Sequence, residues 1–238
     1  SMANLGIADV SILRGDFDQA IAQLTEGLEA DVASGNQSGA ASTYIALAEA
    51  HIGSGNADAA QQAIADALEI RSGTSQQVAA ALIYVELGQL DDVRAIADSL
   101  REKLQPQNRA YGNMLLGVID SIEGRHADAL DKLSSASQLA DFWLVRLQLG
   151  RAYFRAGSFA EALDEFTACE ARRGEASAVF LDDLPSWRYL ASLPYWRGRA
   201  QQEVGMLHAA TQSYTEFLGY RNDDSPMVTD ARARQAAR

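Results

Sequence analysis

The sequence predicts an all-α fold built from about six stacked helical hairpins. Glycine recurs at what we interpret as the turn of each hairpin, at Gly15, Gly55, Gly88, Gly124, Gly157 and Gly205. Successive glycines are 40, 33, 36, 33 and 48 residues apart. Each glycine follows about a dozen residues of helical character and precedes apolar residues at i, i+4, i+7 and i+8, which is the period of an amphipathic helix.

The predicted elements follow from this spacing, and we interpret residues 1–238 as a single run of repeats because such an array grows in one dimension. The hairpins are predicted at residues 2–34, 39–72, 74–104, 108–140, 142–174 and 192–222. The longest interval predicts an insertion at 175–191. Asp223-Asp224-Ser225-Pro226 resembles a helix cap followed by proline in the first turn, and it predicts a C-terminal capping helix at 226–237.

The recurring residue types have a physical reason. A chain that reverses between two helices needs a residue that leaves the α region, and glycine does so without a Cβ penalty. A small residue on the second helix, such as Ala20 or Ala162, lets the first helix approach closely. The large apolar residue after it, such as Leu24 or Phe166, is expected to fill the space against the next hairpin.

The fifth unit carries a recognisable residue order. It contains Leu149-Gly150, Tyr153, Gly157, Phe159, Ala162 and Phe166. This order resembles the tetratricopeptide repeat, and other units match it in part. The resemblance implies a right-handed α–α superhelix in which the first helix of each hairpin lines a concave groove. The Lys and Asn clamp that some members use to bind a C-terminal carboxylate is missing, since the matching positions hold Leu5, Asp9, Ile45, Glu49, Val78 and Leu82.

A second resemblance covers the last third of the chain. It is carried by Ala171-Arg172-Arg173-Gly174-Glu175, Phe180-Leu181-Asp182-Asp183-Leu184-Pro185, Tyr195-Trp196-Arg197-Gly198-Arg199-Ala200, Phe217-Leu218 and Asp230-Ala231-Arg232-Ala233-Arg234. These segments are similar to the C-terminal repeats of multidomain bacterial serine/threonine kinases. The resemblance implies that the chain is part of a larger bacterial signalling protein, and the Ser1-Met2 start favours a fragment. None of the kinase catalytic motifs occurs in the sequence, so phosphoryl transfer is not expected of it.

Composition limits the possible partners. The net charge of −12 disfavours nucleic acid and anionic membranes. Residues 1–140 carry −11 of this charge and residues 141–238 carry −1, with twelve arginines in the second part. The single Cys169 excludes an internal disulfide, and its place beside Phe166 favours a core position. The sequence has neither a run of about 18 apolar residues nor a basic start followed by an apolar stretch, so we expect a cytoplasmic protein.

No arrangement of residues predicts catalysis, a metal or a cofactor. His51, His126 and His208 lie in three different units without a second ligand at metal spacing. The paired acids Asp91-Asp92, Asp182-Asp183 and Asp223-Asp224 fall at predicted helix starts or in loops. We therefore expect a protein that is not an enzyme and binds no metal or cofactor.

The predicted groove supplies the candidate binding residues. Counting back from the turn glycines places on it Tyr111, Met114, Val118, Leu147, Arg151, Arg155, Tyr195, Trp196 and Arg199. An extended or helical partner segment would dock apolar side chains on the middle units and pair its carboxylates with the arginines. In the alternative, Tyr195 and Trp196 pack between hairpins and the arginines pair with acids of the chain itself.

Three functions are consistent with these residues. The first is an interaction or regulatory module that holds a protein or peptide segment, acidic in the sharper hypothesis, in its groove. The second is a self-association scaffold, such as a homodimer, in which terminal hairpins stack between copies. The third is a small-ligand sensor in which Val179 to Trp187 closes over the groove.

Overall fold

The protein folds into helices throughout the part of the chain that the structure describes. The computed structural model describes residues 2–176 and 186–236, with side chains from residue 5 onward. Within these ranges there are helices and no strands, and the predicted all-α fold is confirmed. The chain divides into two compact units, residues 1–92 and 93–238.

The first unit contains two hairpins and one further helix. Its helices are α1 (Met2–Arg14), α2 (Phe17–Ala33), α3 (Gln37–Gly53), α4 (Ala57–Ile70) and α5 (Thr74–Glu86). Asn36 and Asn56 cap α3 and α4, because each side-chain oxygen accepts a hydrogen bond from the backbone N–H three residues on. Gly53 leaves room for Phe17, since a Cβ at Gly53 would overlap the Phe17 ring.

The second unit contains most of the remaining helices. They are α7 (Pro106–Ile122), α8 (His126–Leu139), α9 (Trp143–Arg155), α10 (Phe159–Ala171), α11 (Arg173–Ala176), α12 (Trp187–Leu190), α13 (Leu193–Glu203), α14 (Leu207–Tyr220) and α15 (Pro226–Ala236). Helix α6 (Leu90–Arg101) runs across the division between the units. The predicted turn glycines all have φ between 74° and 85°, the left-handed region in which a Cβ is strained.

Three hairpins of the second unit share one packing device. Gly117, Gly150 and Gly198 lie on the first helix of each pair, and the residue 16 positions later covers the glycine. A Cβ at Gly150 would lie 2.6 Å from the Phe166 ring, and Leu133 and Tyr214 stand similarly close to Gly117 and Gly198. The large residue fills a notch in its own hairpin, because the missing Cβ admits a ring or branched side chain there. Tyr214 also shares a core cluster with Val228 and Ala231 of the following helix α15, which agrees with the expected contact to the next element.

Ion pairs join neighbouring helices on the surface of the second unit. Arg197 pairs with Glu170 at 3.1 Å and Glu216 at 2.6 Å, and Arg173 also reaches Glu216. Arg146 contacts Asp141 at 2.5 Å and Glu165 at 3.0 Å. Several of the arginines that enrich the last third are therefore paired with acids of the chain itself.

A buried carboxylate anchors the end of α7. Asp120 is 5% exposed and accepts hydrogen bonds from Arg125 and from Lys132, the latter at 2.5 Å. Burial alone would raise the pKa of Asp120, but these two cations more than offset that effect and hold the pKa below its ordinary value. Asp120 therefore stays charged at neutral pH and fixes the turn between α7 and α8.

Two predicted features lie wholly or partly outside the described residues. Of the insertion predicted at 175–191, residues 177–185 lie outside them, including Val179, Phe180 and the pair Asp182-Asp183. Residue 237 of the predicted capping helix also lies outside, whereas Pro226–Ala236 form α15. No helix within the described ranges is long and apolar enough to cross a membrane.

Candidate functional site

The apolar part of the predicted groove lies in the core. Tyr111, Met114, Val118 and Leu147 are each at most 5% exposed. The Tyr111 ring stacks on Phe142, with ring centroids 4.8 Å apart. These four side chains do not present a surface to a partner in this structure. The prediction that they form a docking surface is corrected, because the first helices are buried on more than one face.

Helices α9 and α13 bring the remaining candidates together. Arg151 and Phe154 come from α9, and Tyr195, Trp196 and Arg199 come from α13. We call these five residues the arginine–aromatic cluster. Within it, sequence reasoning missed Phe154, although its position three residues after Arg151 places both on one face of α9.

The cluster alternates guanidinium groups with rings. The Arg151 guanidinium lies 4.9 Å from the centre of the Trp196 ring, and that of Arg199 lies 5.0 Å from the Phe154 ring. The rings of Phe154 and Trp196 meet edge to face, 5.8 Å apart. Cation–π contacts of this kind contribute about 0.5–2 kcal/mol each. They also hold the flexible arginine side chains in one orientation.

Buried donors of the cluster lack an acceptor among the described residues. They include the indole Nε1 of Trp196 and the Nε of Arg199. A buried donor without a partner costs about 1–3 kcal/mol. The cluster is therefore rich in hydrogen-bond donors relative to the acceptors that this part of the chain supplies.

Arg155 lies at the other end of α9 from Trp143. Its Nη1 donates to Ser121 Oγ at 3.4 Å, so its guanidinium extends toward α7. Arg151 donates to Gln148 Oε1 at 3.4 Å. Both arginines are half-buried, and they continue the positive surface of the cluster along α9.

Arg199 and Tyr195 also meet a carboxylate of the C-terminal helix. Asp230 Oδ2 accepts hydrogen bonds from Tyr195 at 2.8 Å and from Arg234 at 2.7 Å, and it lies 3.6 Å from Arg199. Tyr195 itself is buried. The alternative predicted from the sequence, in which these residues pack between helices and pair with acids of the chain itself, therefore holds for Tyr195. It also holds for the contact of Arg199 with Asp230. Sequence reasoning gave Asp230 no role in the site, because Tyr195 and Arg199 lie 35 and 31 positions away from it.

We expect the substitution Asp230→Asn to loosen α15. Burial by itself raises the pKa of Asp230, but hydrogen bonds from Arg234 and Tyr195 outweigh it, so the folded-state pKa is lowered. The stabilisation is present above the ordinary pKa of about 3.9 and is lost as pH falls through the lower folded-state value. Because Asp230 is partly exposed, we expect a loss of about 1 kcal/mol at neutral pH.

Hydrogen exchange of the α15 amides measures this loss. Protection factors, the ratios of intrinsic to observed exchange rates, should fall in Asp230→Asn and, for the wild type, on acidification below about pH 3.9. Asp224→Asn is the matched control, since Asp224 is fully exposed and meets Arg232 only at 3.6 Å. Equal exchange in both variants would contradict an anchoring role for Asp230.

Reactive and metal-binding chemistry finds little support in the described ranges. Cys169 is buried, and burial raises its pKa to about 12, which keeps the thiol protonated. The indole of Trp143 donates to the Cys169 carbonyl at 2.9 Å, as expected of a core position. No group of three or more His, Cys, Asp or Glu residues is arranged to hold a metal there.

Comparisons with known proteins identify the class of fold. Residues 41–74, which span most of α3 and α4, match the family model of the tetratricopeptide repeat. No curated protein matches the chain in sequence. The predicted tetratricopeptide-repeat architecture is confirmed by this match and by the structural neighbours. The fold is one that serves protein–protein interaction and is generally non-catalytic.

Two solved structures show the same fold at low sequence identity. One is TTC0263, a thermophilic tetratricopeptide-repeat protein of Thermus thermophilus, with a TM-score of 0.57 and 18% identity over 83% of this chain and 97% of that chain. The other is the hetero-tetramer Cut9-Hcn1 of APC/C, with a TM-score of 0.54 and 14% identity. The second match covers 93% of this chain but 40% of the other. Identities this low establish the fold alone.

Proposed function

We propose that this chain is a non-catalytic interaction module that holds an acidic segment of a partner protein against the arginine–aromatic cluster and Arg155. The observation that carries the proposal is the stacking of two guanidinium groups on aromatic rings contributed by neighbouring first helices. Such stacking covers the faces of the guanidinium groups with rings. A guanidinium group stacked in this way forms its hydrogen bonds through its N–H edge.

Carboxylates are the groups that such an edge recognises best. Arginine and carboxylate form charge-assisted and often bidentate hydrogen bonds, which are about twice as strong as neutral ones. Asp230 supplies an internal example, since its carboxylate already lies near Arg199 and accepts from Tyr195.

Rigid rings add contact area for the partner's apolar atoms. Trp196 and Phe154 are half-buried and fixed against each other, so little rotamer entropy is lost when a partner covers them. Tryptophan and arginine are among the residue types most often found as interface anchors. A flexible segment loses ordering entropy on docking, so we expect a Kd on the order of micromolar.

The biological setting that we propose rests on the sequence resemblance alone. The last third of the chain is similar to the C-terminal repeats of bacterial serine/threonine kinases, and this favours a cytoplasmic signalling protein with an attached effector domain. In that setting the module would place its partner near the effector. A small-ligand sensor depends on Val179 to Trp187, of which residues 179–185 lie outside the described ranges.

A peptide array tests the proposal directly. The array pairs peptides rich in Asp and Glu with versions in which Asn and Gln replace every acid. The wild-type chain should bind a subset of the acidic peptides and not their amide versions. The double variant Arg151→Glu with Arg155→Glu should weaken that binding at least about tenfold, or about 1.4 kcal/mol. Arg199 is left unchanged, because a glutamate there would face Asp230 and disturb α15.

A charge-matched variant controls for long-range electrostatics. Arg109→Glu with Arg232→Glu makes the same change in net charge at two exposed arginines outside the cluster. This control should bind as the wild type does, and circular dichroism should show equal helicity in all three proteins. Equal weakening in both double variants, or equal wild-type binding to acidic and amide peptides, would refute the proposed site.

A further inference from the structure

The turn between α13 and α14 differs from every other glycine turn in the described chain. At six positive-φ glycines the next residue is polar, namely Asp16, Asn36, Asn56, Gln89, Arg125 and Ser158. At Gly205 the next residues are Met206 and Leu207, and Val204 precedes it. All three side chains are exposed, Leu207 to 65%. We call Val204, Met206 and Leu207 the apolar turn.

A cavity opens beside the apolar turn. It has a volume of about 490 Å³, and Leu207, Ala210, Thr211 and Tyr214 line it together with Gln202, His208 and Arg234. Its lining thus includes aliphatic side chains and a tyrosine beside the polar residues. An apolar side chain that enters it would also cover Leu207 and so remove apolar surface from water.

Helix α1 carries the complementary surface. Ile7, which is 56% exposed, and Val10, which is also exposed, are three residues apart and lie on one helix face. Gly6 beside them has open space around it, so a second helix or turn can approach this face closely. The other large exposed apolar residues of the described chain, Val32, Leu104 and Ile122, stand singly in the sequence.

Charge distinguishes among the ways in which two copies could meet. Residues 1–92 hold thirteen acids and two arginines, whereas residues 193–236 hold five acids and five arginines. Two first units repel each other, which disfavours a contact of α1 with α1. A first unit meets no such repulsion at the neutral C-terminal end of another copy, where Arg234 lies at the cavity.

We infer that a second copy of this chain docks α1 on the apolar turn, with Ile7 directed toward the cavity. The contact is heterologous, because it joins two different surfaces. Unless its rotation closes a ring, every assembly keeps one free α1 at one end and one free apolar turn at the other, and association continues in one direction. This surface is separate from the arginine–aromatic cluster and does not depend on the function proposed for the cluster.

Complementary variants test the contact on the 238-residue chain. Analytical ultracentrifugation from about 1 µM to 1 mM should show the wild-type average mass rising with concentration. Ile7→Glu destroys the α1 face and Leu207→Glu destroys the apolar turn, and each variant alone should remain monomeric. An equimolar mixture of the two should form a one-to-one dimer and nothing larger, because one intact α1 face and one intact apolar turn remain.

Leu104→Glu places the same charge at a solitary residue that is 92% exposed, and it should associate as the wild type does. All substituted side chains are exposed, so circular dichroism should show unchanged helicity. A monomeric wild type at every concentration would overturn the inference. Association that survives in Ile7→Glu alone, or in Leu207→Glu alone, would show a contact that does not need both surfaces and would overturn it too.

Discussion

Replacing Phe166 by alanine is expected to lower the free energy of unfolding of the second unit by about 3–5 kcal/mol. The Phe166 ring is fully buried and occupies the notch left by Gly150, where a Cβ would lie 2.6 Å away. Truncation leaves a cavity that Gly150 cannot fill, because glycine has no side chain to move into it. Phe166→Ala therefore loses both the transfer free energy of the buried ring and the packing contacts that the ring makes.

Tryptophan fluorescence during urea unfolding measures the effect in the correct unit, since Trp143, Trp187 and Trp196 all lie in residues 93–238. Leu104→Ala is the control, because Leu104 is almost fully exposed and should change stability little. Gly150→Val places a side chain where the Phe166 ring packs, so it should also lower the free energy of unfolding of the second unit. A loss below about 1 kcal/mol for Phe166→Ala would show that the notch is not a main source of stability.

Raising the pH from 10 to 12 is expected to remove about 2 kcal/mol of stability through Tyr214. Burial raises the pKa of Tyr214 to about 12, while tyrosine in an unfolded chain titrates near pH 10. The unfolded state therefore loses its proton first. The stabilisation is complete below about pH 10 and disappears as pH rises through the folded-state pKa. Burial also raises the pKa of Tyr195.

The variant Tyr214→Phe isolates this contribution. It removes the ionisable group and one hydrogen bond, because the Tyr214 hydroxyl donates to Gln202 Oε1 at 2.9 Å. We expect it to be about 1 kcal/mol less stable at pH 7 and to lose less stability than the wild type between pH 10 and 12. Identical slopes for the wild type and Tyr214→Phe would contradict the assignment.

The candidate site divides into a part that sequence predicted and a part that it did not. Sequence reasoning selected Arg151, Trp196 and Arg199 because they precede turn glycines by a fixed count, and the structure brings them together. The same count selected Met114 and Leu147, which are fully buried. Counting along one helix gives the angular position of a residue. It does not give how many neighbouring helices cover that angle.

The sequence by itself determined the hairpins and their turns. Helical period and the need for positive φ at Gly55 or Gly157 are local properties, so the residues concerned lie next to one another in the chain. Only the tertiary structure decided which large residue fills which notch, as Phe166 does at Gly150, and which acid meets which arginine, as Asp230 does near Arg199. These contacts join positions 16 and 31 apart, and many pairings satisfy the same local pattern. The choice among them depends on close packing of several helices at once, which no local period encodes.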